Sequence, residues 1–130
     1  MIVVDASAMV EVLLNTTTGG ALRRHLFASG ETLHVPHLAD VEVSQVLRRY
    51  SIGKVLDQER ASEAFLDYRA MPLTRYPHAV LLPRVWELRR KLSAYDAVYI
   101  ALAEALRATF VTRDRALGLV SGHRAAVQVF

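Results

Sequence analysis

Two short apolar runs constrain this chain most. Ile2-Val3-Val4 and Thr109-Phe110-Val111-Thr112 carry no charge, and an aspartate follows each, Asp5 after the first and Asp114 after the second. Brief β-branched and aromatic runs of this kind suit strands buried in a parallel sheet. Longer segments with helical spacing separate them: Ala6 to Leu14, Ala21 to Ala28, His37 to Tyr50, Gln58 to Tyr68, Val80 to Leu92 and Ala97 to Leu106. Thr32 to Val35 is predicted to be a further strand, Pro72 to Tyr76 extended or irregular, and Val127 to Phe130 an edge strand. Thr16 to Gly20 is predicted to be a turn, and Arg115 to Leu119 one short helical turn closed by Gly118. Strands alternating with longer helices indicate an α/β fold with helical layers around a mostly parallel sheet. No linker or repeat breaks the pattern, so residues 1–130 read as one domain. In open sheets of this kind, ligands meet the carboxyl ends of the strands, where Asp5 and Asp114 are placed.

Composition removes several classes of chemistry. With no cysteine, the chain has no disulfide scaffold, no thiol nucleophile and no cysteine-ligated metal. A hydrophobic share of 52% argues against disorder. Sixteen Lys+Arg against 13 Asp+Glu give +3, which suits a polyanionic partner without requiring one. No apolar run approaches the ~20 residues that span a bilayer. No basic segment precedes Asp5, so no signal peptide is expected, and a soluble, cytoplasmic protein without membrane contact is the default reading.

Four acids lie at or beside predicted core elements: Asp5, Glu42, Asp96 and Asp114. Each has an ordinary explanation. Asp5 suits the N-cap of the helix that follows it. Asp114 suits a cap for the turn at Arg115. Ser93-Ala94-Tyr95-Asp96 has capping-box spacing. Glu42, however, lies in line between Leu38 and Val46 and borders the face of Ala39, Val43, Leu47 and Tyr50, which puts it at a core edge. Asp40 faces away and is expected in solvent. Taken together the four say more. Ionised carboxylates within ~4 Å repel by on the order of 4 kcal/mol per pair at a near-surface dielectric. A divalent cation relieves that, and oxygen donors alone suit Mg²⁺ or Mn²⁺. Such a site acidifies water and clamps a phosphodiester. Ser7 and Thr112, two residues from Asp5 and Asp114, are candidates to orient a ligating carboxylate or a water; equally, Ser7 caps a helix and Thr112 continues a strand.

At these residues the chain resembles the PIN-domain ribonucleases, and among them the VapC-type toxins of type II toxin–antitoxin pairs. The matching segments are Val3-Val4-Asp5-Ala6-Ser7, Pro36-His37-Leu38 through Val41-Glu42-Val43, Tyr95-Asp96-Ala97-Val98-Tyr99-Ile100-Ala101-Leu102-Ala103-Glu104, and Val111-Thr112-Arg113-Asp114. Asp5-x-Ser7 alone is weak, whereas all four segments in order are highly specific and span nearly the whole chain. The resemblance implies a three-layer α/β/α fold with a central mostly parallel sheet. It implies Mg²⁺-dependent cleavage of RNA by an acidic quartet, with Asp5 and Asp96 as principal metal ligands and Glu42 and Asp114 completing the shell. It also implies a small antitoxin partner and a homodimer.

The remaining basic residues divide between substrate and structure. Arg84 to Lys91 reads Arg-Val-Trp-Glu-Leu-Arg-Arg-Lys. An amphipathic helix with Val85, Trp86 and Leu88 inward is the expectation, which leaves Arg89 and Arg90 as candidate RNA contacts. Arg113 and Arg115 flank Asp114 and suit either a substrate phosphate or ion pairs with the quartet. The five histidines show no metal spacing. Three other readings compete. A dehalogenase-like phosphatase wants Asp-x-Asp where this chain has Asp5-Ala6-Ser7. A response regulator wants a late lysine, and the lysines here are Lys54 and Lys91. A non-catalytic RNA- or protein-binding module would keep the acids for a structural ion.

Overall fold

The computed structural model describes residues 1–130. Five strands form one sheet: β1 (Ile2–Val4), β2 (Leu33–Pro36), β3 (Leu73–Tyr76), β4 (Thr109–Thr112) and β5 (Ala126–Val129), in the order β3-β2-β1-β4-β5. Every pairing is parallel. The central strand β1 is buried at all three residues, whereas the edge strands β3 and β5 are buried only in part. The three-layer α/β/α expectation is met.

Six helices cover the sheet: α1 (Ala6–Leu13), α2 (Thr17–Leu26), α3 (Leu38–Ile52), α4 (Gln58–Ala70), α5 (Leu82–Glu87) and α6 (Ala94–Leu106). Helices α1 and α3 pack together, with α2 on α1 and α4 on α3. In the other helical layer, α6 lies across β1, β2 and β4, with α5 against it. Ala97 to Ala103 of α6 are buried without a break, because this helix has the sheet on one side and α5 on another. No helix is long and apolar enough to cross a membrane.

The connection after β1 leads toward β2 and β3, and the one after β4 leads the other way to β5. The reversal opens a crevice between the carboxyl ends of β1 and β4, where α/β sheets bind ligands. The register Val4↔Val111 sets Asp5 and Thr112 side by side there.

Three local expectations need correction. Thr16 to Gly20 is not a free turn: Thr16 caps α2 by accepting the Gly19 amide at 3.0 Å, and residues 17–20 form the helix's first turn. The glycine is needed for close approach, since a Cβ at Gly19 would stand 2.1 Å from the Glu11 carbonyl oxygen on α1. The segment Val80 to Leu92 is not one helix. A 3₁₀ turn at Ala79–Leu81 leads into α5, which ends at Glu87 and gives way to turns. After β4 the short helical turn is a 3₁₀ turn at Leu117–Leu119, with Gly118 inside it rather than closing it.

Candidate active site

Asp5 follows β1 directly and caps α1, so its carboxylate is fixed by the strand-to-helix turn itself. Oδ1 accepts from the Ala8 amide at 2.9 Å and from the Ser7 hydroxyl at 2.7 Å, and Oδ2 accepts from the Thr112 hydroxyl. Thr112 also accepts from the Asp114 amide at 2.9 Å, and Ser7 from the Arg113 amide at 3.1 Å. The two hydroxyls therefore stitch the end of β1 to the end of β4. Asp5 is only 8% exposed. Burial pushes its carboxyl above the usual range despite these three bonds, and the neighbouring Asp96 charge adds to the rise.

Glu42 is half-buried one turn into α3, as its row predicts. It accepts one hydrogen bond, from the Tyr99 hydroxyl of α6 at 3.0 Å. Burial raises its carboxyl, the Tyr99 bond opposes the rise, and the charges of Asp5 and Asp96 add to it. Asp96 occupies the third position of α6, where its amide donates to the Ser93 hydroxyl at 3.2 Å and the same hydroxyl donates to Oδ2 at 3.1 Å. The capping expectation is met, and Asp96 lies near enough for its charge to act on the other two acids.

Asp5, Glu42 and Asp96 thus come from three elements into one electrostatic neighbourhood. Asp114 stands apart: it is exposed, its Oδ1 accepts from the Ala116 amide at 2.8 Å, and it is not among the charges that shift Glu42. Its tie to the trio runs through Thr112 and the backbone. No three acidic or histidine side chains are drawn tightly enough to hold a metal ion by themselves.

The arginines also part company. Arg113 is half-buried, donates to the Phe130 carbonyl and lies 3.5 Å from Glu11, so its guanidinium is committed inside the fold and pairs with no quartet acid. Arg115, Arg89 and Arg90 are exposed. Trp86 departs from expectation: Val85 and Leu88 are buried, but Trp86 is 68% exposed, because the short α5 turns only a narrow face inward. The Arg89 guanidinium lies 4.7 Å from the centre of its ring. Asp40 is not simply solvated either; it accepts from the Tyr68 hydroxyl at 2.7 Å and from Arg75 Nε at 2.9 Å, tying α3 to α4 and β3.

Residues 2–122 match the PIN domain family. The chain belongs to the PIN-domain family. This PIN domain is 49% identical over 114 residues to ribonuclease VapC9 of Mycobacterium tuberculosis, covering 88% of this chain and 86% of that one. It is 34% identical over 129 residues to ribonuclease VapC12 of the same organism, covering 99% and 98%. Among solved structures it resembles VapBC2 from Rickettsia felis, bound to a DNA fragment from its promoter, with a TM-score of 0.72, 17% identity, and coverage of 99% and 98%. That last likeness speaks to the fold.

In donor chemistry, though not in spacing, the acids of this PIN domain suit a hard divalent cation. All three groups are carboxylates, and two of them, Asp5 and Glu42, hold protons more tightly than usual, from burial first and from nearby like charge after it. Sequence reasoning missed Tyr99 as part of the site. The signal was present, since Tyr99 lies three residues after Asp96 and so shares its helix face, in a run otherwise apolar.

Proposed function

We propose that this chain is a metal-dependent endoribonuclease and the toxin of a toxin–antitoxin pair. The observation that carries the reading is the uncompensated trio Asp5, Glu42 and Asp96 at the crevice between β1 and β4. Relatives named as ribonucleases, at up to 49% identity, supply the substrate class. Asp5, Glu42 and Asp96 would hold Mg²⁺, with Mn²⁺ as a substitute and Asp114 at the margin. A cation held by these residues would supply neutralisation of phosphodiester charge and a more acidic water.

The chain's own residues set up the rest. Thr112, Ser7 and the Ala8 amide lock the Asp5 carboxylate in one orientation. The first turn of α6 presents Asp96. Arg115 beside Asp114 and Arg90 after α5 are exposed and could meet phosphate, and Arg89, held over Trp86 and bonded to its carbonyl, could do so together with that ring. No side-chain base is required, which agrees with the absence of a histidine from the trio. A cognate antitoxin that covers the crevice and a homodimeric state, both in the cytoplasm, complete the reading.

The test is cleavage of total cellular RNA by the purified, antitoxin-free protein, with Mg²⁺, with Mn²⁺ and with EDTA, beside Asp5→Ala. Discrete metal-dependent fragments that vanish in the variant are expected. Folded protein that binds Mg²⁺ yet cleaves nothing would favour a non-catalytic module with a structural ion.

A further inference from the structure

Glu42 is the one acid of the three whose carboxylate accepts no hydrogen bond from its own turn. Asp5 takes three donors from its own turn and from β4, and Asp96 is held by the Ser93 hydroxyl. Glu42 sits inside α3, where the amides are already used by the helix, and it reaches inward on a longer and more flexible side chain. Its single hydrogen bond comes from across the fold, from Tyr99 of α6.

Tyr99 is well suited to be a fixed point. It is 2% exposed, and its ring stacks on Phe110 of β4, with centroids 5.8 Å apart and planes 19° from parallel. Phe110 is itself fully buried beside β1, the strand that Asp5 follows. Tyr99 also follows Asp96 by three residues on the same helix. One rigid ring therefore references all three elements that bear the acids: β1 through the sheet, α6 directly, and α3 through the hydroxyl. The bond uses Oε2 of Glu42 and leaves Oε1 without a protein donor.

We propose that Tyr99 is a positioning residue whose hydroxyl aims Glu42 at a divalent cation held between Asp5 and Asp96. This rests on the metal-site reading given above. The competing account is a buried phenol that has merely found an acceptor, and the two differ in what the hydroxyl does for cation affinity.

Tyr99→Phe keeps the ring and removes the bond. Mn²⁺ affinity, measured by electron paramagnetic resonance on protein shown to be folded by circular dichroism, should fall by about 10- to 100-fold, the usual cost of removing a group that orients a metal ligand. In a Glu42→Ala background the same change should cost nothing further. Tyr68→Phe removes the same kind of bond, from Asp40 outside the crevice, and should leave affinity unchanged. Wild-type affinity in Tyr99→Phe, or an equal loss with Glu42 absent, overturns the role of Tyr99 alone. Wild-type protein that binds no Mn²⁺ overturns the metal site and the proposal together. A second measurement does not use Tyr99→Phe. Mg²⁺ added to the wild type should produce a tyrosine ultraviolet difference band that Glu42→Ala lacks, and a band of equal size in both proteins overturns the proposal.

Discussion

Helix α6 carries a carboxylate near each end, and the two are treated in opposite ways. Glu104, near the carboxyl end, is disfavoured by the helix dipole but fully compensated. Its side chain is 7% exposed and accepts from Arg84 Nε at 2.7 Å, Arg84 Nη2 at 3.0 Å and the Arg124 amide at 2.8 Å. Arg84 holds its carboxyl below the usual range, against the effect of burial. Asp96, in the first turn, has the favourable end of the dipole and a serine cap, yet it faces Asp5 and Glu42 rather than a cation. The first arrangement joins α5, α6 and the segment before β5. The second brings like charges near one another, which is the arrangement the proposed metal site would use.

Neutralising each end separately tests this contrast. Asp96→Asn keeps the amide that Ser93 caps and removes one charge of the trio. Cleavage should drop by at least about 100-fold, the upper cost of disturbing even an outer metal partner, while the thermal midpoint stays or rises. A variant cleaving at the wild-type rate would break the assignment of that end. Glu104→Gln should do the reverse. Loss of charge-assisted bonds to Arg84 should cost about 1.5–3 kcal/mol in urea denaturation, while the rate per folded molecule holds. A fall in rate without a fall in stability would mean that the two ends are not independent.

A smaller effect is expected at Trp86 of α5, the helix that packs against α6. Trp86→Ala removes an exposed ring, so stability should stay within about 0.5 kcal/mol. If the ring and Arg89 stack a base, KM for RNA should rise by roughly fivefold, the lower end for loss of one stacked base, with kcat unchanged. A change in oligomeric state instead would reassign Trp86 to a protein interface.

What could be read from the sequence follows the same divide. Ile2–Val4 and Ala97–Ala103 announce themselves because burial on every side demands unbroken apolar runs. Asp5 and Asp96 were legible because each sits where a local rule, capping, already places an acid beside a core element. Glu42 was legible from its row. Other features depend on partners distant in sequence. That Asp40 would meet Arg75 and Tyr68, that Arg113 would be held by Glu11 and Phe130, and that Glu104 would knit α5 to the segment before β5 are long-range facts with no local trace. Trp86 was misplaced because helical spacing alone presumes a longer helix than α5 provides.

The most delicate consequence is that the two kinds of carboxylate should respond to acid in opposite directions. Glu104 has a folded-state pKa below its unfolded value near 4.3. Its contribution is present above that value and lost as pH falls through the folded pKa, so the advantage of wild type over Glu104→Gln should shrink on acidification. Glu42 has a raised folded-state pKa, from burial first and from Asp5 and Asp96 after it. In EDTA its charge is then a penalty at neutral pH, and Glu42→Gln, which keeps an acceptor for Tyr99, should be the more stable protein. As pH falls through the raised pKa, wild type takes up a proton in the folded state and the difference should close by about pH 4. The gain should be smaller than the Glu104 loss, because Tyr99 already offsets part of the penalty. Denaturant midpoints measured from about pH 2 to 8 for the three proteins test both signs at once, the Glu42 difference closing on the way down to about pH 4 and the Glu104 advantage shrinking only below it. A Glu42→Gln protein less stable than wild type at pH 7 without metal would mean that this carboxylate is already satisfied, and the contrast between the acids at the crevice and Glu104 would fail.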